Sequence, residues 1–188
     1  MELFFDTETS DMYKFKSDYD DPRQPWIVQL GFILSERNAI YQEGNLIINA
    51  DGRKIASGAE AIHCISADTA CDVGLPEVLV FEVFAHLMNI ADLLVCHNTG
   101  FDIKVLHSNT CGIYDKRLTE HLLNPKNSYC TMLNGTSICK LPTKYGKYKW
   151  PKLQELHKFL FGEEFKDAHD ALADVRATRR CYYEMTKE

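Results

Sequence analysis

Two apolar runs near the start of the chain, ELFFD at 2–6 and WIVQLGFIL at 26–34, are rich in residues that favour strands, and IYQEGNLIIN at 40–49 is a third. From Pro76 onward the hydrophobic period changes. Val80, Phe84, Leu87 and Met88 recur at spacings of three and four, the buried face of a helix. A buried strand, DLLVCHN, follows at 92–98, and FDIKVLHSNTCG predicts a second helix that starts near Gly100 and stops at Gly112. Leu153, Leu156, Phe159 and Leu160 make one amphipathic face, with Pro151 suited to the first turn, and a last helix is expected over about 170–186. Strands that alternate with helices predict an α/β fold with a mixed sheet. The polar segment DMYKFKSDYDDPRQP between the first two strands, punctuated by Pro22 and Pro25, reads as an exposed loop that could border a site.

The 188 residues carry neither an internal repeat nor a low-complexity tract or linker, so one domain over 1–188 is expected. No stretch approaches 18 uncharged apolar residues, and MELFFDTETS lacks a basic leader, which predicts a cytoplasmic protein with no membrane contact. Seven cysteines, an odd number without a Cys-x-x-Cys, read as reduced thiols rather than as a zinc site built from Cys96, His97 and Cys111. A net charge of -6 excludes coating nucleic acid by bulk charge. One basic island stands out against it. KLPTKYGKYKWPK, Lys140 to Lys152, holds five lysines and no acid, interleaved with Tyr145, Tyr148 and Trp150. It would grip phosphates while its aromatics stack on bases, or it is a solvated loop.

On a strand, Asp6 and Glu8 project to one side and Thr7 to the other. Two carboxylates so close repel unless a proton or a cation sits between them, and hard ions such as Mg²⁺ prefer oxygen ligands. Taken alone, the pair is equally a solvated strand end. Asp102 stands two residues after Gly100 at a strand-to-helix junction, where ligands collect in open α/β sheets and where an acid also complements the helix N-terminus. DAHDALADVRAT adds His169 and Asp174, with Asp167 and Asp170 beside them. On an ideal helix Asp170 shares the face of Asp174, whereas His169 is rotated away.

FDTETS, HNTGFDIKVL and HDALADV resemble the three exonuclease motifs, in order, of the DnaQ-like DEDDh family of 3′-5′ exonucleases. WIVQLGFIL is similar to that family's second strand, AIHCIS to its histidine-containing helix end and PKLQELHKFLFG to the helix before the last motif. His169, Ala171 and Asp174 satisfy the His-x-Ala-x-x-Asp pattern of the histidine subclass. The resemblance implies a ribonuclease H-like fold, a central mixed five-stranded sheet flanked by helices. It implies a 3′-5′ exonuclease that needs two divalent metal ions, Mg²⁺ or Mn²⁺, and releases nucleoside 5′-monophosphates. Asp6, Glu8 and Asp174 would hold the first ion, Asp6 would bridge to the second, Asp102 would serve the second through water, and His169 would be the general base. Thr7, Thr9, His63, Ile65, Asn98 and Phe101 resemble positions that touch the terminal nucleotides.

Two positions depart from the pattern, Cys64 where many relatives have glycine and Cys130 where many have aspartate. The expected partner is a nucleic acid 3′ end, DNA ahead of RNA. An RNA trimmer and a binding module that only keeps the fold remain alternatives. The complete set of Asp6, Glu8, Asp102, His169 and Asp174 counts against the second. A polymerase or repair partner is conceivable, although a last helix running nearly to Glu188 favours a freestanding enzyme. Oligomeric state is open.

Overall fold

The apolar runs become the middle of a sheet. In the computed structural model, which describes residues 1–37, 39–111, 127–144 and 146–187, the strands are β1 (Glu2–Thr9), β2 (Ile27–Glu36), β3 (Ala39–Ile47), β4 (Leu93–Cys96) and β5 (Ser128–Cys130). Their order is β3-β2-β1-β4-β5, with the first three antiparallel and β1, β4 and β5 parallel. The mixed sheet expected from the sequence is therefore present, with β1 central.

The described helices are α1 (Ser57–His63), α2 (Ala67–Val73), α3 (Glu77–Ile90), α4 (Thr99–Thr110), α5 (Thr131–Cys139), α6 (Leu153–Phe161) and α7 (Ala171–Met185). The Gly112 stop lies outside the described residues, and α4 ends at Thr110. None of the described helices is long and apolar enough to cross a membrane.

Alternation along β1 divides the interior. Leu3 and Phe5 point into the main core, where Phe5 meets Phe84 of α3 edge to face at 5.3 Å. Phe4 points to the opposite face, joining Ile33, Val95 and Val175 beneath α7, with Tyr182 at 5.4 Å. A third cluster, with Cys139, Leu153, Leu156, Ala177 and Cys181, ties α5 and α6 to α7. Because Asp6 and Glu8 follow Phe4 at a period of two, they emerge on the α7 face at the end of β1.

Candidate active site

Gly31 on β2 pairs with Asp6 on β1. A Cβ built on Gly31 would stand 2.5 Å from the carbonyl carbon of Ala171, so only glycine lets the first residue of α7 rest on the sheet there. The start of α7 is also clamped by Gln29, the one amide in the apolar β2 run. Gln29 accepts from the Ala171 N–H at 3.1 Å and donates to Asp170 Oδ2 at 3.3 Å, and Asn45 donates to the same oxygen at 2.7 Å. Asp170 is the N-cap of α7, its Oδ1 accepting from Ala173 N–H at 3.0 Å. Both its oxygens are thus occupied. Four residues on, Asp174 faces Asp6 and Glu8 across the cleft.

His169 precedes that cap with a left-handed backbone, φ 72°, and its N–H donates to Asp174 Oδ2 at 3.4 Å. Glu8, His169 and Asp174 each offer a ligand atom, all within 4.8 Å of one another. The helical spacing that favoured Asp170 does not apply, because Asp170 and His169 lie before the first helical turn.

Asp102 enters from α4. Its Oδ1 accepts from both the N–H (3.1 Å) and the hydroxyl (2.8 Å) of Thr7, which locks α4 to β1. Asn98, before α4, is left-handed at φ 71°. The four carboxylates repel one another in a poorly solvated site. Burial, reinforced by Asp102, Asp174 and Glu8, holds Asp6 well above the usual carboxylate range. Burial, with Asp174 and Asp102 nearby, pushes Glu8 to about 8. Burial lifts Asp102 to about 7 against the opposing pull of its Thr7 bonds, and burial lifts Asp174 to about 6.

These residues line one cleft of about 600 Å³ whose walls include Asp6, Thr7, Glu8, Asn98, Phe101 and Trp150. A second, apolar groove of about 510 Å³ adjoins it through Glu8 and Phe101. Thr9 and His63 line this groove with Met12, Tyr13 and Phe15. The polar loop 11–25 therefore does border the site, with hydrophobic side chains that no periodicity announces. Ile65 lines neither cavity and is packed in the main core, its N–H donating to His63 Nδ1 at 3.1 Å. Cys64 adopts φ 59°, the conformation for which glycine is the usual choice, and Cys130 caps α5 through its Sγ at 3.5 Å, a weaker acceptor than a carboxylate.

His97 has a role that its residue type does not disclose. Its Nε2 donates to the Pro151 carbonyl at 3.0 Å and its Nδ1 accepts from the Thr131 hydroxyl at 2.9 Å, so it joins α5 and the entry to α6 at the cleft wall. His97, Cys96 and Cys111 do not converge as a ligand group among the described residues. All seven cysteines are free, and Cys111 donates to the Ser108 carbonyl. Burial lowers the His97 pKa to about 4, consistent with the neutral tautomer these two bonds require. His97→Ala would strand the Pro151 carbonyl and leave the Thr131 hydroxyl only its 3.4 Å bond to the Cys96 carbonyl, and we expect a loss of about 1–3 kcal/mol in urea unfolding at pH 7.

The exonuclease family model of the RNase_T type matches residues 3–182. No curated protein sequence matches the chain. Among solved structures, E. coli exonuclease I with a dA16 oligonucleotide is similar at a TM-score of 0.75 and 21% identity, over 99% of this chain and 40% of that one. The zinc-bound E. coli exonuclease I complex with single-stranded DNA gives 0.70 and 20%, over 96% of this chain and 39% of that one. Exonuclease I from Methylocaldum szegediense gives 0.72 and 23%, over 98% and 39%. At these identities the likeness is one of fold, and this chain spans about two fifths of those chains. With the three motifs in order around one cleft and the family match running through nearly every element, the chain belongs to the exonuclease family, in its DnaQ-like DEDDh branch with the ribonuclease H-like fold.

Proposed function

We propose that residues 1–188 form one catalytic domain, a metal-dependent 3′-5′ exonuclease that removes nucleoside 5′-monophosphates from single-stranded DNA. The observation that carries this reading is the convergence of Asp6, Glu8, Asp102 and Asp174 with His169 in one cleft. Exonuclease I structures bound to dT13 and dA16 support DNA as the polymer. The seven free thiols suit a reducing compartment, the cytoplasm.

The donor set fits a hard divalent ion such as Mg²⁺ or Mn²⁺. Asp174 Oδ1 is buried with no hydrogen-bond partner among the described residues, an arrangement that a cation would satisfy. Asp6, Glu8 and Asp174 would hold one ion, and Asp6 would share in holding a second that Asp102 would serve through water. When bound, the ions would neutralise charge at the scissile phosphate and make water more acidic. His169 would take the proton from the attacking water, its backbone anchored to Asp174. Thr7 would keep Asp102 in register with β1. The apolar groove, with Thr9, His63 and Phe101 on its walls, would receive the terminal base, and Asn98 would face the neighbouring phosphate.

The test follows 5′-labelled single-stranded DNA and RNA of one sequence with Mg²⁺, Mn²⁺ or EDTA. A metal-dependent ladder that shortens from the 3′ end, faster on DNA, is expected. No degradation of either polymer would leave only a binding module. In the same assay His169→Ala should lower kcat about 10²–10⁴-fold while calorimetry still detects Mn²⁺ binding. Parent-like turnover would remove His169 from the mechanism.

A further inference from the structure

The lysine-rich segment has a fold of its own beside the cleft. Thr143 N–H donates to the Lys147 carbonyl and Lys149 N–H to the Leu141 carbonyl, both at 2.9 Å, and Pro142 bridges Tyr148 in antiparallel fashion. Residues 141–144 and 146–149 are therefore the two antiparallel arms of a small hairpin, with Gly146 left-handed at φ 73°. Its base is fixed. Lys149 is paired with Glu155, whose other oxygen accepts from Lys152 N–H at 2.8 Å, and His97 holds the Pro151 carbonyl. Lys140, Lys144, Lys147 and Lys152 are exposed, without an ion-pair partner among the described residues. Trp150, next to this base, is 64% exposed and forms part of the cleft wall with Pro151 and Lys152. A tryptophan left so open at the rim of a carboxylate-lined cleft does not contribute to the core.

We propose that this hairpin and Trp150 form a second nucleic-acid subsite, in which the strand leaving the cleft stacks a base on Trp150 while Lys144 and Lys147 neutralise its phosphates. The subsite rests on the exonuclease reading above and extends it: the acids hold the end being cut, and the hairpin holds the polymer behind it. Such a grip matters in this molecule because the net charge of -6 and the acidic cleft both repel a phosphate backbone. Aromatic stacking is tolerant of base identity, so the subsite would hold any single strand and favour substrates long enough to reach it.

The test uses the full chain carrying Asp6→Asn to prevent hydrolysis and reads fluorescence anisotropy of labelled dT4 and dT13 between 50 and 200 mM NaCl. The parent should bind dT13 more tightly. Lys144→Gln with Lys147→Gln should flatten the dependence of log Kd on log salt for dT13 by about 1.4, two single-strand phosphate contacts. Trp150→Ala should weaken dT13 binding about tenfold, and Trp150→Phe should restore most of it. An unchanged salt slope together with parent-like binding by Trp150→Ala would overturn the proposal and make the hairpin a solvated loop. Hydrolysis by the chain without Asp6→Asn is followed in parallel. If it degrades neither polymer and the hairpin variants still weaken dT13 binding, the exonuclease reading fails while the subsite stands.

Discussion

Asp6→Asn is expected to reduce metal-dependent degradation of single-stranded DNA on the order of 10⁴-fold or more and, in the same protein, to raise the melting temperature measured in EDTA. The two effects have one cause. Asp6 lies at the centre of the acidic group, where burial and the charges of Asp102, Asp174 and Glu8 all disfavour its ionised form. Asparagine keeps the shape and removes the charge, which relieves the metal-free fold by about 1–3 kcal/mol. The same change removes the carboxylate proposed to touch both ions, and loss of one preorganised charge at a reacting centre typically costs about 10²–10³ in rate. Because two ions would be affected, the loss should exceed that of His169→Ala. A variant that is inactive and less stable would mean that Asp6 supports the fold rather than the chemistry. Retained metal-dependent turnover would sink the assignment.

The second large effect concerns pH. Glu8, at about 8, and Asp102, at about 7, hold protons in the folded chain that the unfolded chain releases near pH 4. The folded state therefore binds more protons than the unfolded state across neutral pH, and stability in EDTA falls as pH rises toward 8. The slope is bounded by about 1.4 kcal/mol per pH unit for each such group. His97 acts in the opposite sense, since its folded pKa near 4 lies below the ordinary 6.5, but its contribution is complete above pH 6.5. From pH 6.5 to 8 the carboxylates therefore dominate, with the Met1 ammonium, held above its ordinary value by its hydrogen bond to Asp92, adding in the same direction near pH 8. Mg²⁺ binds their ionised forms and displaces the protons, so the thermal shift it gives should be larger at pH 8 than at pH 6.5. Differential scanning calorimetry at both pH values, with and without Mg²⁺, checks this. A shift that is equal at the two values would mean that the ion does not bind the titrating acids.

Much of the scaffold could be read from the chain because its signals are periodic. The runs at 2–6 and 26–34 become β1 and β2, and alternation along β1 brings Asp6 and Glu8 out together. Val80, Phe84, Leu87 and Met88 are the buried face of α3. The short elements were not legible in this way: α1 and α2 have seven residues each and β5 three, too few to display a period. Within the site, Asp102 could be suspected from its junction, but its bond to Thr7 depends on a pairing 95 residues apart. His169 escaped geometric reasoning because two non-helical residues, His169 and Asp170, precede α7 and break the angular count on which helical wheels rest. Gln29 was a visible clue. An amide inside an otherwise apolar strand needs a partner, and its partners are the cap and first residue of the last helix.

Gly31 carries no functional group, yet the gap between its α-carbon and the Ala171 carbonyl sets where one wall of the cleft stands relative to the other. The separation of Asp174 from Asp6 is gauged by main chain resting on main chain, which side-chain repacking in the surrounding core leaves largely untouched. A single added methyl at that contact would act as a shim, widening the distance between the two walls proposed to close on one phosphate. Substitutions at Gly31 are expected to act like changes to the carboxylates proposed to hold the ions, although glycine brings no side chain to the cleft.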